Sequence, residues 1–231
     1  AALDPDFSKM FAMEVYEKMM RGLDTVNSSG ERFALPAQDI GSVDLASLEP
    51  PGVRTQAGYP GAIWYPAASC NYSAYYTAKD TVVVHTIEGT AAGCLSWFRN
   101  CNAQVSAHYV VSEAGKVYQC VDENYLAWHV SCMNSCSIGL EHEGYAASSS
   151  HPQALYDASA LCVRDICNRW GIPKSRFHPS CTCCGSGICG HIDVTNCCCG
   201  THTDPGNGWN WTYYISQIQG APPAPTWAAS Y

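Results

Sequence analysis

The run from Thr81 to Glu88, TVVVHTIE, constrains this chain more than any other stretch. Val82, Val83 and Val84 are three β-branched apolar residues in succession, the pattern of a strand buried on both faces. Such a strand needs partners on either side and a packed layer above and below. The run ends in His85 and then a turn, so the histidine stands where a central strand leaves the sheet, a usual place for chemistry in α/β folds. A histidine at a strand end is more often a satisfied structural residue, so any chemical role has to be argued from the rest of the chain.

The 231 residues suffice for one substantial core, read here as one domain with an N-terminal extension. Only 14% of residues are charged and the net charge is -8, so Ser, Thr, Asn, Gly and Tyr must cover much of the surface. An acidic, weakly charged surface argues against nucleic acid as a partner. No apolar stretch approaches the roughly 18 to 20 residues that would span a bilayer, and a soluble protein is expected. Fifteen cysteines point to a secreted, extracellular or periplasmic protein with several disulfides, because cytosolic glutathione would keep such thiols reduced. The odd number leaves at least one cysteine free, bonded to another chain or bound to metal. An N-terminus beginning Ala1-Ala2 fits a mature chain whose signal peptide has been removed. Asn27, Asn71 and Asn210 each head an N-x-S/T sequon that could carry a glycan.

Residues 4 to 21 read as a helix, with Asp4 as cap, Pro5 in the first turn and Gly22 as stop. Phe7, Phe11, Val15 and Met19, with Met10 and Leu23, form its apolar stripe. From Thr25 to about Pro60 the chain is rich in Ser, Gly, Pro and Asp without periodicity, as an extended arm would be. The expected division is therefore an arm over 1–60, a domain over 61–220 and a tail over 221–231. Within the domain, a short helix is expected over Ala91 to Arg99 and a hairpin with its turn at Glu113-Ala114-Gly115. SIGLEHEGY reads as a second core strand, and helices follow over about Gln153–Trp170 and Trp211–Ile218. Strands alternating with helices, one hairpin included, predict an α/β fold with a mixed central sheet flanked by helices.

A catalytic zinc site takes three protein ligands and an open position, from imidazoles and often a carboxylate. His85, His191 of GHID and Asp204 of HTDPG could supply such a set from three separated loops, although spacing alone does not establish it. The ordered stretches VVVHTIEG, SWF, AQVSAHYVVSEAGKVYQCVDENYLAWHV, SIGLEHEGY, GHIDV, HTDPG and WNWTYYI carry a resemblance that spacing lacks. Over about Trp64 to Ile218 the chain resembles the zinc-dependent N-acetylmuramoyl-L-alanine amidases of the type 2 family, whose fold is shared with the peptidoglycan recognition proteins. The first 60 residues and the cysteine insertions at 181–189 and 197–199 fall outside it.

The resemblance implies that Zn2+ is held by His85, His191 and Asp204, and that Glu141 is the catalytic acid/base. Glu143 is its rival, since side chains two apart on a strand share a face. Some members have a lysine two residues before the aspartate where this chain has His202, a candidate oxyanion donor whose ordinary charge is lost near neutral pH. Trp128 and His129 are implied to line a substrate cleft, with core packing as the alternative. The implied substrate is peptidoglycan or its muropeptides, cleaved between N-acetylmuramic acid and L-alanine. Two other readings stand beside hydrolysis: peptidoglycan binding without cleavage, and an extracellular structural or filament-forming protein that self-assembles through the arm. Most cysteines are expected to be oxidised, with Cys94 and Cys101 as a local pair if the chain leaves its helix near Asn100. A metal cluster is the less economical use of Cys181, Cys183, Cys184 and Cys189, or of Cys197 to Cys199.

Overall fold

The valine run forms the strand Thr81–Thr86, with every residue buried. The computed structural model describes residues 57–179, 185–198 and 201–220, together with the two-residue strands β1 (Thr25–Val26) and β2 (Arg32–Phe33), which pair antiparallel. The expected helix over 4–21, the rest of the arm, the cysteine-rich loop at 181–184 and the tail at 221–231 lie outside the described residues.

The remaining strands are β3 (Ile63–Trp64), β4 (Tyr72–Ser73), β5 (Thr81–Thr86), β6 (Tyr109–Val111), β7 (Val117–Gln119), β8 (Leu126–Ala127), β9 (Ser137–His142) and β10 (Gly187–Gly190). Six of them form one sheet in the order β10-β5-β9-β6-β7-β3, while β4 and β8 pair separately. β5 runs parallel to β10 and β9, and β9 runs parallel to β6. β6 and β7 are the expected antiparallel hairpin, so the sheet is mixed. Among the described residues four α-helices accompany it, α1 (Ala91–Phe98), α2 (Gln153–Trp170), α3 (His191–Cys198) and α4 (Trp211–Gln219).

Alternation along the strands divides the core. Val82, Val84, Ile138 and Leu140 face Leu155, Val163 and Ile166 of α2 and Tyr214 and Ile218 of α4. Val83 points the other way and packs with Val130, Met133, Cys189 and Val194. Further along that second face, Leu95 and Phe98 of α1 meet Val110 and Tyr118. Helix α2 stops where Gly171 takes φ +70°, a left-handed conformation that glycine adopts without a Cβ penalty.

The cysteines correct one expectation. Cys101 bonds to Cys70, with Cα atoms 5.5 Å apart, and not to Cys94. Cys94 lies on the buried face of α1 among Leu95 and Phe98, whereas Cys101 lies beyond the helix end, where the chain meets the 69–71 turn. Cys132 and Cys136 are also disulfide-bonded, but Cys94, Cys120, Cys162, Cys167 and Cys189 are buried thiols. Burial in the core, rather than oxidation, is the state of these five. Burial pushes the Cys167 thiol up to about 12, so it behaves as a small apolar side chain. Asn71 is spent as well. Its amide donates to the carbonyls of Phe98 and Asn100 and accepts from the Gln104 N–H, so this sequon fastens α1 and is closed to a glycan.

One buried carboxylate ties the hairpin to α2. Glu123 has no exposed surface, and it accepts two hydrogen bonds from Arg169, one from the Trp170 indole at 2.6 Å and one from the Tyr109 hydroxyl. Removing one partner of such a pair leaves a buried charge underpaid in hydrogen bonds. Arg169→Met should therefore lower the unfolding free energy by about 3 to 5 kcal/mol in urea denaturation. Asp165→Asn, which breaks only the i,i+4 contact of the same arginine, should cost about 0.3 to 0.5 kcal/mol.

Candidate metal centre

Strand parity and register assemble the site. His85 and Glu141 are paired residues of the adjacent parallel strands β5 and β9, and both fall on the Val83 face. Gly190, the last residue of β10, pairs with Val84, so His191 steps out of the sheet level with His85. At the start of α3, the Asp193 carboxylate accepts the Gly190 N–H at 2.7 Å and meets Arg176 at 2.6 Å. Arg176 in turn lies over the Trp211 ring, 3.7 Å from its centroid. His191 thus leaves the strand at an end that is anchored on two sides.

Asp204 arrives from the following turn. Its carbonyl accepts the Ile192 N–H at 2.9 Å. Two residues on, Gly206 has φ +83°, and a Cβ there would come within 1.9 Å of the Ala146 carbonyl oxygen. Only glycine lets the turn lie that close.

The three side chains are buried and converge. His85 Nδ1 lies 3.0 Å from His191 Nδ1, and the Asp204 carboxylate spans the pair, 3.2 Å from the first ring and 3.3 Å from the second. All three could hold a metal ion, with one ligand atom from each within 4.8 Å of the others. The geometry fits zinc: bonds of about 2.0 to 2.1 Å in a tetrahedral site place donor atoms about 3.3 Å apart. Protonation fits too. Burial, only partly relieved by Asp204, lowers His191 to about 4, which leaves its lone pair free for an ion. Burial would raise the Asp204 carboxyl, but His191, His202 and His85 together hold it well below the ordinary carboxylate range. Neutral imidazoles and an ionised carboxylate are the forms in which these groups bind metal.

The other expected residues divide. His202 stacks on His191 with ring centroids 3.5 Å apart, and its Nδ1 is 3.7 Å from Asp204. Glu143, the rival to Glu141, lies past the end of β9, and its two oxygens accept the N–H groups of Ala91 and Glu113 at 3.0 and 2.8 Å. Its carboxylate is committed to the first turn of α1 and to the turn of the β6–β7 hairpin. Trp128 is half-buried, with its indole N–H on Ser73 Oγ.

His129, expected to line the cleft, is 3% exposed and stands behind His85. Its Nδ1 is 3.0 Å from His85 Nε2 and its Nε2 is 3.2 Å from Ser137 Oγ, so both nitrogens face protein. Burial first, then His85, His108, Lys79 and His191, keep this ring well below the usual histidine range and hence neutral. Sequence reasoning missed Ser137, and also Asn134, whose side-chain oxygen accepts the His129 and Val130 N–H groups. Polar residues beside an apolar strand were the one available signal.

Comparison with known proteins agrees with this geometry. The profile of the family described as N-acetylmuramoyl-L-alanine amidase matches residues 75–207. N-acetylmuramoyl-L-alanine amidase A of Achromobacter lyticus is 44% identical over 113 residues, which cover 48% of this chain and 64% of that protein. The 1,6-anhydro-N-acetylmuramyl-L-alanine amidase AmpD of Haemophilus influenzae is 31% identical over 124 residues, 50% of this chain and 60% of that protein. The chain thus spans less than two thirds of the length of either relative. A crystal structure of a selenomethionine derivative of AmpD superposes with a TM-score of 0.55, covering 69% of this chain and 96% of that one, and at 20% identity it speaks to the fold. A match over residues 75–207 of 231, laid on a mixed sheet that gathers His85, His191 and Asp204, means that the chain belongs to the N-acetylmuramoyl-L-alanine amidase family.

Proposed function

We propose that this protein is a zinc-dependent hydrolase that cleaves the amide between the lactyl group of N-acetylmuramic acid and L-alanine in peptidoglycan or muropeptides. The observation that carries the reading is the buried His85–His191–Asp204 cluster, with Glu141 beside His85 in the strand register. When bound, the zinc ion supplies Lewis acidity, which acidifies water and polarises the scissile carbonyl.

The chain's own residues do the rest. Glu141 takes a proton from the attacking water and returns it to the leaving amine nitrogen of L-alanine. His202, stacked over His191, donates a hydrogen bond to the oxygen that gains charge as the carbonyl becomes tetrahedral. Trp128 lends an apolar wall, its indole held by Ser73. Such a substrate places the working protein outside the cytoplasmic membrane, in the periplasm or secreted. Among the described residues no helix is long and apolar enough to cross a membrane.

Two measurements test this function. Dialysis against a chelator should abolish release of L-alanine-terminated peptides from purified peptidoglycan, and added zinc should restore it. Activity untouched by complete metal removal would refute the zinc reading. Glu141→Gln should retain zinc yet lose about 100- to 10,000-fold in turnover, the usual worth of a positioned acid/base. Glu143→Gln should instead weaken the cap of α1 by about 1 kcal/mol and leave turnover within a few fold. The reverse ranking would move the acid/base role to Glu143.

A further inference from the structure

His85 has two ring nitrogens, and the proposed site uses one of them. If His85 is a ligand, its Nδ1 must carry a lone pair and its single proton must sit on Nε2. The hydrogen bonds behind it run in one direction. The Met133 carbonyl oxygen can only accept, and Ser137 Oγ lies 2.6 Å from it, so the serine hydroxyl donates there. Ser137 Oγ is then left to accept from His129 Nε2–H at 3.2 Å. A neutral His129 with its proton on Nε2 presents a bare Nδ1, and that nitrogen accepts from His85 Nε2–H at 3.0 Å. The reverse order would set the hydroxyl and carbonyl oxygens lone pair to lone pair at 2.6 Å.

The relay is held rigidly. Asn134 grips the backbone on both sides of the His129 peptide carbonyl, with bonds of 3.0 and 2.7 Å. Gly139 lies under the ring, where a Cβ would come within 2.4 Å of His129 Nδ1. Next to it, His108 is turned away, accepting from the Gly139 N–H and reaching the Tyr125 carbonyl with its other nitrogen. His129 therefore has His85 and Ser137 as its ring partners.

We propose that His129 and Ser137 are positioning residues that fix the tautomer of His85, so that the Met133 carbonyl, through two relayed hydrogen bonds, keeps the His85 Nδ1 lone pair aimed between His191 and Asp204. The proposal rests on the reading of His85 as a zinc ligand. Partners that orient a ligating imidazole commonly contribute about 10- to 100-fold in metal affinity.

The test separates the relay from that reading. Nitrogen-15 NMR of histidine-labelled, metal-free protein should show the proton of His85 on Nε2 and that of His129 on Nε2. Ser137→Ala should mix the two tautomers, weaken zinc binding about 10- to 100-fold in competition with a chromophoric chelator, and leave turnover recoverable by raising free zinc. Ser159→Ala removes an equally buried serine hydroxyl from a different histidine, His142, and should leave zinc affinity within about twofold of wild type. A wild-type His85 protonated on Nδ1 overturns the relay without any variant having to fold. So does a folded Ser137→Ala protein that binds zinc as tightly as wild type. A wild-type protein with the expected tautomers whose His85 resonances do not respond to zinc overturns the metal reading, and the relay's purpose with it.

Discussion

The parallel hydrogen-bonded register of β10, β5 and β9 is the constraint from which the rest of the molecule follows. Gly190 and Val84 are level in one ladder, and Val84 and Leu140 are level in the other. The next residue of each strand is His191, His85 or Glu141, so three chemically active side chains emerge at one edge from three separate parts of the sequence. A slip of one residue would turn His85 toward the α2 side of the sheet and Val84 toward the site. The apolar layers forbid this, because Val82 and Val84 are committed to one core cluster and Val83 to the other. Hydrophobic burial thus specifies the position of polar chemistry.

That arrangement draws an unusual number of imidazoles into the interior. His85, His108, His129, His142 and His191 are each 5% exposed or less. Burying an imidazole is tolerable while it stays neutral and both nitrogens find partners. His142 meets the condition on the far face of β9, where it lies between the His85 carbonyl and Ser159 Oγ, and burial lowers it to about 3. His108 meets it between Gly139 and Tyr125. On the near face the rings of His85 and His191 turn their Nδ1 atoms toward each other at 3.0 Å and toward the Asp204 carboxylate. Two imidazoles converging on one buried carboxylate are the arrangement a candidate metal centre requires, and this sets them apart from the histidines satisfied within the core.

The sequence made some of this legible and concealed the rest for identifiable reasons. The valine strand, the hairpin and α2 were readable because their periodicity is local and their stops are Gly115 and Gly171. β10 was not, since Gly-Ile-Cys-Gly lacks a strand-like run and becomes one only by lying along β5. Glu141 and Glu143 could not be told apart by alternation, because the strand ends at His142 and the second carboxylate turns away to α1. The orientation of His129 depends on a loop that passes through Ser131 at φ +52° and is clamped by Asn134, neither of which local pattern encodes. Cys94 and Cys101 are neighbours in sequence, but a helix face took one of them and the 69–71 turn captured the other.

Asp204, the member of the cluster that no strand delivers, shows how far the scaffold is prepared in advance. At the end of β5 the Thr86 hydroxyl donates to Glu88 Oε1, and the same oxygen accepts the Ala146 N–H at 2.6 Å. The Ala146 carbonyl then forms the surface against which Gly206 packs, so the turn carrying Asp204 is seated on a loop fastened to the strand of His85. On its other side Asp204 accepts the Ile192 N–H, one residue from His191. A chain of side-chain and backbone contacts therefore runs from the end of the His85 strand through the 144–146 loop to Asp204 and on to the residue after His191. Each of these contacts is individually modest, but together they hold the three side chains in place before anything binds, and preorganisation of this kind is what lets residues from distant loops act as one site.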